Sequence, residues 1–139
     1  MTNPDQIVDI EAWCIEHRIT EVECLIPDIS GIPRGKILPS EKFIKGLRSD
    51  SHRMPESMFT QTVTGDFPQT DGLVSVVDKD VVMRPDPSTI RPVPWYTEPT
   101  AQVICDCIYT DGTPVDISSR QVLREVLALY ENKGWKPVI

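Results

Sequence analysis

Two histidines, four cysteines and one glycine-flanked basic loop are the features of this 139-residue chain whose types and spacing could do chemistry. Gly31-Ile32-Pro33-Arg34-Gly35-Lys36 has the outline of a phosphate cradle. Such a loop needs four residues between its glycines and a Ser or Thr after the Lys. Here three residues intervene, Ile37 follows the Lys, and Pro33 removes a backbone N–H that would face an anion. The spacing therefore predicts a hairpin connection. Cys105 and Cys107 stand two apart in a strand-like run, so they share a face, and the spacing is not the C-x-x-C of zinc or redox sites. Together with Cys14 and Cys24 they read as buried, reduced thiols acting as small hydrophobes. His17 closes an apolar helical stripe and reads as structural. No His pair has ligand spacing, the carboxylates are dispersed, and Asp78 and Asp80 lack the calcium-loop pattern. No Ser or Cys has a base that local sequence places beside it. Read by itself, the chain contains no complete catalytic apparatus.

The segment from about 48 to 80 is then the first place to look for function. Arg48–Arg53 is polar and Thr60–Gly72 is rich in Thr, Gly, Asp and Gln. Long loops without secondary structure are uncommon in compact domains and tend to be functional or disordered. Its large apolar residues are few (Met54, Met58, Phe59, Phe67), so its ordering is expected to depend on a partner surface.

The elements that must position this loop follow from pattern. Residues 4–18 read as a leading helix, with Asn3 as cap, Pro4 at its first position and Gln6 completing a capping box. Residues 20–27 read as a strand, Asp28–Gly31 as a turn and Lys36–Pro39 as the return strand. Ser40 caps a short helix burying Phe43, Ile44 and Leu47, and Asp80–Pro85 is a further strand. Thirteen prolines, about 9% against a usual ~5%, crowd 85–99 and predict an ordered extended stretch. In the strand Ala101–Tyr109, Val103, Cys105 and Cys107 face one way and Ile104, Asp106 and Ile108 the other; Asp111-Gly112 then signals a hairpin turn. Ser118 and Gln121 form a capping box for a helix over 119–133, whose apolar face is Val122, Leu123, Val126, Leu129 and Tyr130, with Gly134 as its stop. The expected fold is α+β, a small mixed sheet built from 20–27, 35–39, 80–84 and 101–109 with the 119–133 helix packed on it.

Composition sets the outer bounds. One domain spans 1–139, long enough to bury roughly 68% of its unfolded surface. A formal charge of −7 argues against nucleic-acid and anionic-membrane partners. No apolar run approaches the ~20 residues of a membrane span and no secretory leader is visible, so a cytoplasmic protein is expected. Trp135–Ile139 begins a new apolar segment where the sequence stops, as in an excised piece of a longer protein.

Several stretches, taken together, resemble the glutamine synthetase family. Val81–Thr89 is similar to its (M/L)-x-P-D-x-S-T run, and Pro94-Trp95 followed by Ala101–Cys107 to its A-x-V-x-C-D strand. Asp111–Pro114 and Ser119–Arg124 resemble the DG-x-P and PR-x-x-L motifs, with Ser119 in place of the usual Pro. Asp28–Lys36 is similar to the D-x-x-G-x-x-(R/K)-G hairpin. The matches run in order from about residue 20 to 138.

The resemblance implies the amino-terminal β-grasp domain of an ATP-dependent ligase that joins glutamate to ammonia or an amine. ATP and Mg2+ or Mn2+ would be bound by a catalytic domain expected after residue 139, none of them by this chain. ATP activates the γ-carboxylate of glutamate, and the amine displaces phosphate. In the family the active sites lie between subunits of a homo-oligomeric ring, and the amino-terminal domain lends a loop to its neighbour. That loop carries an acidic residue that helps bind and deprotonate ammonium. Here the matching position falls near Gln61 or Thr62, neither a carboxylate, which points toward the branch that uses larger amines, such as the γ-glutamylpolyamine synthetases. The implied candidates are Asp66 as the acid, with Gln61, Thr62 and Thr64 lining the amine pocket. Asp66 has a second reading, as support for the Gly65-Asp66 turn. The isolated chain is expected to be inactive. The alternative is a stand-alone, non-catalytic binding or regulatory module of the same fold, and the length of the natural reading frame separates the two.

Overall fold

A computed structural model describes residues 4–69, 72 and 74–138. Its central strand is the one the sequence marks most clearly. β6 (Thr100–Tyr109) alternates so that Ala101, Val103, Cys105 and Cys107 are buried while Gln102, Ile104, Asp106 and Ile108 are half-buried on the other face. β1 (Glu21–Pro27) lies parallel to its first half, pairing Cys24 with Val103. β4 (Asp80–Pro85) runs antiparallel to its second half, pairing Met83 with Cys107. β2 (Pro33–Pro39) extends β1 as an antiparallel hairpin, β3 (Arg53–Pro55) extends β4, and β5 (Arg91–Val93) adds to β6. The sheet order is β2-β1-β6-β4-β3, with β5 beside β6. The mixed α+β sheet expected from sequence is present.

The helices α1 (Pro4–Glu16) and α2 (Ser40–Ser49) contribute Ile7, Ile10, Cys14, Phe43 and Leu47 to one core with Val22, Cys24, Ile26, Val81, Met83 and Val103. All four cysteines are buried and form no disulfide. Burial, with Glu11 nearby, raises the Cys14 thiol to about 11, and burial beside Asp106 raises Cys107 to about 12. A hydrogen bond with Cys24, together with burial, pushes Cys105 up as well. Thiols held so far from their thiolates are poor nucleophiles, as expected of small hydrophobes.

Four expectations need correction. The loop over 48–79 contains β3 and a buried 3-10 turn, Glu56–Thr60, because Met58 and Phe59 find the core. The Asp111-Gly112 turn forms, closed by Tyr109 N–H on Thr113 O and an isolated Ile108–Pro114 bridge, but among the described residues no strand follows it to complete a hairpin. Neither Ser40 nor Ser118 caps through its side chain; α2 starts after Pro39, and Gln121 bonds Glu125 instead. Asn3 lies outside the described residues.

The fourth correction concerns α3 (Ser119–Asn132), which buries none of its residues and is bonded to β6 through Arg120 and Arg124 on Asp106. Leu123 and Leu129 on its apolar face are 56% and 62% exposed. The helix still stops as expected. Gly134, at φ 70°, donates to Glu131 O, Trp135 donates to Tyr130 O, and the Tyr130 and Trp135 rings meet edge-on at 5.7 Å.

Candidate functional site

The segment that carries the candidate residues is held to the body by the 3-10 turn before it. Phe59 and Glu56 are both buried there. Glu56 accepts from the Tyr109 hydroxyl and from the Ser75 N–H, while its own N–H donates to Lys79 O. Burial and the Glu56 bond push Tyr109 up to about 12, so the phenol stays a donor. Asp78 accepts from both the N–H and the hydroxyl of Ser57.

Beyond the turn, residues 61–66 close on themselves. Thr62 N–H donates to Asp66 O at 2.9 Å and Gly65 N–H to Thr62 O at 3.0 Å, with Gly65 at φ 91°, a conformation a side chain would strain. Gln61 Nε2 donates to Gly65 O, Asp66 N–H to Thr62 Oγ1, and the Thr64 hydroxyl to Asp66 Oδ2 at 2.7 Å. Thr62 and Thr64 hydroxyls share a 2.9 Å bond. The structure thus brings all four candidates, Gln61, Thr62, Thr64 and Asp66, into one small loop. Val63, Thr64 and Asp66 are exposed, and among the described residues Asp66 has no cationic partner.

Sequence reasoning missed what holds this loop. The Asp28 carboxylate, with its side chain 0% exposed, accepts from Ser30 N–H at 2.8 Å, Ile32 N–H at 2.9 Å and Arg34 Nε at 2.9 Å. The other arm of the same guanidinium, Nη2, donates to Thr62 O at 2.7 Å. Ser119 Oγ reaches the Pro27 and Asp28 carbonyls at 3.1 and 3.0 Å, joining α3 to the hairpin turn. The signal was the Asp and Arg of the hairpin motif, six residues apart. The last glycine of that motif is also structural, because a Cβ on Gly35 would lie 1.8 Å from Cys24 O.

A second set of motif residues fixes α3. Arg120 Nε donates to Asp106 Oδ1 at 2.7 Å, and its Nη2 meets Asp86 Oδ2. Arg124 adds a 2.7 Å bond to Asp106 Oδ2. Burial works against the charge on Asp86, but two bonds from Ser88 and the charges of Arg120 and Arg124 hold its carboxyl below the usual value. Beside this cluster a groove of about 470 Å³ runs between Leu25, Pro33, Ile104 and Leu123, with Arg91 and Gln102 on its rim.

These residues do not fit a metal site. Among the described residues no three His, Cys, Asp or Glu side chains converge. Asp86 and Asp106 are committed to arginines, and Asp28 to backbone N–H groups and Arg34. No helix of the described residues is long and apolar enough to cross a membrane.

The structure is thus a mixed sheet with α1 and α2 packed into its core and a third helix that buries none of its residues. No protein-family model matches the chain. It belongs, over nearly its whole length, to the glutamine synthetase family. A glutamate–isopropylamine ligase of a Pseudomonas species is 31% identical over 138 residues, 96% of this chain and 29% of the relative. A γ-glutamylethanolamide synthetase of Streptomyces coelicolor is 30% identical over the same shares. A crystal structure of a glutamine synthase homologue matches the fold with a TM-score of 0.69 at 19% identity, over 83% of this chain and 27% of that one. The chain therefore spans under a third of the length of the relatives it matches.

Proposed function

We propose that this chain is the amino-terminal domain of an ATP-dependent glutamate–amine ligase and that it presents the 61–66 loop to the catalytic domain of a neighbouring subunit in a homo-oligomer. The observation that carries this reading is the loop itself. It is closed by its own hydrogen bonds, exposed at Val63, Thr64 and Asp66, and neutral at Gln61 and Thr62 where a glutamine synthetase would hold an acid. A neutral position there suits an amine larger than ammonium, and two similar proteins are named for isopropylamine and ethanolamide chemistry. ATP and a divalent metal, bound outside this chain, would activate the glutamate γ-carboxylate. The chain's own contribution is to bind and orient the amine: Asp66 faces its positive charge while Gln61, Thr62 and Thr64 line its path.

The bare face of α3 supports the same reading. Val122, Leu123, Val126, Leu129, Tyr130 and Trp135 form an exposed apolar strip that a catalytic domain following in the chain would cover. The test uses the complete gene product, a coupled ATPase assay and a series of amines that includes isopropylamine and ethanolamine. Asp66→Asn is expected to raise the KM of the amine about tenfold, the loss of one charge-assisted hydrogen bond in a wet site, with the KM of ATP unchanged. Equal kinetics for parent and variant across the series would remove Asp66 from the site. Absence of ATP-dependent ligation of glutamate to any amine would overturn the reading as a whole.

A further inference from the structure

We propose that Arg34 is a positioning residue for the 61–66 loop, a clamp that fixes where the loop stands relative to the sheet. The proposal rests on the ligase reading for its consequence, but the clamp itself is a matter of geometry. The loop's internal bonds all run among residues 61–66, so they set its shape and not its orientation. Among the described residues, two links join the loop and its approach to the β1–β2 hairpin. One is the backbone bond from Ile29 N–H to Phe59 O at 3.2 Å, which precedes the loop. The other is Arg34 Nη2 to Thr62 O at 2.7 Å, which lies within it.

The Thr62 carbonyl is also the acceptor for Gly65 N–H, so the guanidinium grips the atom on which the loop closes. At its other end the clamp is anchored in a carboxylate that cannot move. Asp28 is already held by two N–H donors of the hairpin turn. A planar guanidinium keeps a fixed distance between its Nε and Nη2 arms, so it transfers the position of that buried carboxylate to the loop. An ammonium is a single point charge and cannot serve both acceptors with that geometry.

The alternative, that Arg34 merely stabilises its own hairpin, accounts for one arm only. The hairpin has seven paired positions from Glu21–Pro39 to Pro27–Pro33, and the turn is closed by Asp28 without help from Arg34. The Nη2 bond, 28 residues away in sequence, contributes nothing to hairpin register.

The experiment has two arms. In this chain, amide exchange is followed residue by residue in the parent, in Arg34→Lys and in Arg34→Gln. A lysine ammonium can still neutralise Asp28, so Arg34→Lys is the variant that keeps the fold if Arg34→Gln does not. The amides of Thr62, Gly65 and Asp66 are expected to exchange about tenfold faster in Arg34→Lys, with Ser30 and Ile32 unchanged. Unchanged exchange in the loop overturns the clamp. Equal acceleration at Ser30, Ile32 and the β1 amides overturns it too, because Arg34 would then be a fold residue and nothing more. In the complete gene product, Arg34→Lys is expected to raise the KM for ethanolamine about fivefold, leaving the KM of glutamate and ATP unchanged. A loosened loop with an unaltered amine KM overturns the positioning role. A gene product without ligase activity overturns the function proposed above, while the exchange arm still decides whether the clamp exists.

Discussion

In a helix interior, Gly→Ala ordinarily stabilises by about 1 kcal/mol, because glycine gives up the most backbone freedom. Gly46 of α2 should do the reverse. A Cβ built there would lie 2.1 Å from His52 Cε1, 2.5 Å from Nε2 and 2.6 Å from Nδ1. The ring has no room to retreat. It is 6% exposed, lies over Phe43 with centroids 5.5 Å apart and planes 16° from parallel, and its Nε2 donates to Phe43 O at 2.9 Å. Forcing the methyl in costs about 1–3 kcal/mol of overpacking. Ejecting the ring instead gives up a hydrogen bond of about 1 kcal/mol and a ring contact of about 0.5–1.5 kcal/mol. Against the propensity gain, Gly46→Ala is expected to destabilise by about 0.5–1.5 kcal/mol net, the ejection route setting the upper bound. Urea unfolding measures it as a lower midpoint with an unchanged slope. Removing the ring should restore ordinary behaviour, so adding Gly46→Ala to a His52→Ala background should stabilise by about 1 kcal/mol. A Gly46→Ala single variant more stable than the parent would refute the wedge.

The same histidine makes stability pH-dependent. Burial lowers the pKa of His52, Lys36 and Lys42 push it the same way, and the Phe43 carbonyl opposes them. A base whose folded pKa is depressed binds fewer protons folded than unfolded, so its contribution is fully present above the unfolded value of about 6.5 and is lost as pH falls toward the folded one. Urea midpoints for the parent should therefore drop between pH 7.5 and 5.5 by more than those of His52→Gln, and identical drops would exclude the histidine as the cause. For the α3 anchor, Arg120→Met is expected to cost about 1–2 kcal/mol, since Asp86 and Asp106, both part-buried, keep only Arg124 as a cationic partner. Amide exchange in the first turns of α3 should speed up while β1 and β2 stay protected; unaltered α3 exchange would show that the network does not hold the helix.

Much of the fold is legible because it rests on period and punctuation. β1, β6 and α3 each carry an alternation, an apolar run or a helical stripe between turn residues, and the structure places them within two residues of expectation, while α2 starts at Ser40 as expected. The three-residue strands β3 and β5 escaped because three residues make no period, and both contain proline, Pro55 and Pro92, in a chain whose prolines read as extended loop. The amphipathic face of α3 was also legible, but amphipathicity says only that a face wants cover. It does not say where the cover comes from, and within this chain there is none among the described residues. That neither Gln61 nor Thr62 is a carboxylate is visible in the sequence. The Arg34–Thr62 bond is not, since it joins residues that only the tertiary fold makes neighbours.

The motifs that carry the family resemblance have a common physical character. Asp28 secures a turn and holds Arg34, Gly35 lets β2 approach Cys24, and Asp86, Asp106, Arg120 and Arg124 pin a helix to the sheet. Each is an ion pair or a close approach that fixes one element against another, and in this chain none of them is free to meet a small molecule. The residues proposed to meet one lie in 61–66, a loop closed by its own hydrogen bonds. On the reading proposed above, architecture and substrate choice are written in different residues. An amine of another size could be accommodated by exchanging side chains in that small self-closed loop, while the Arg34 bond to its backbone carbonyl, which reads no side chain at all, keeps the loop in place.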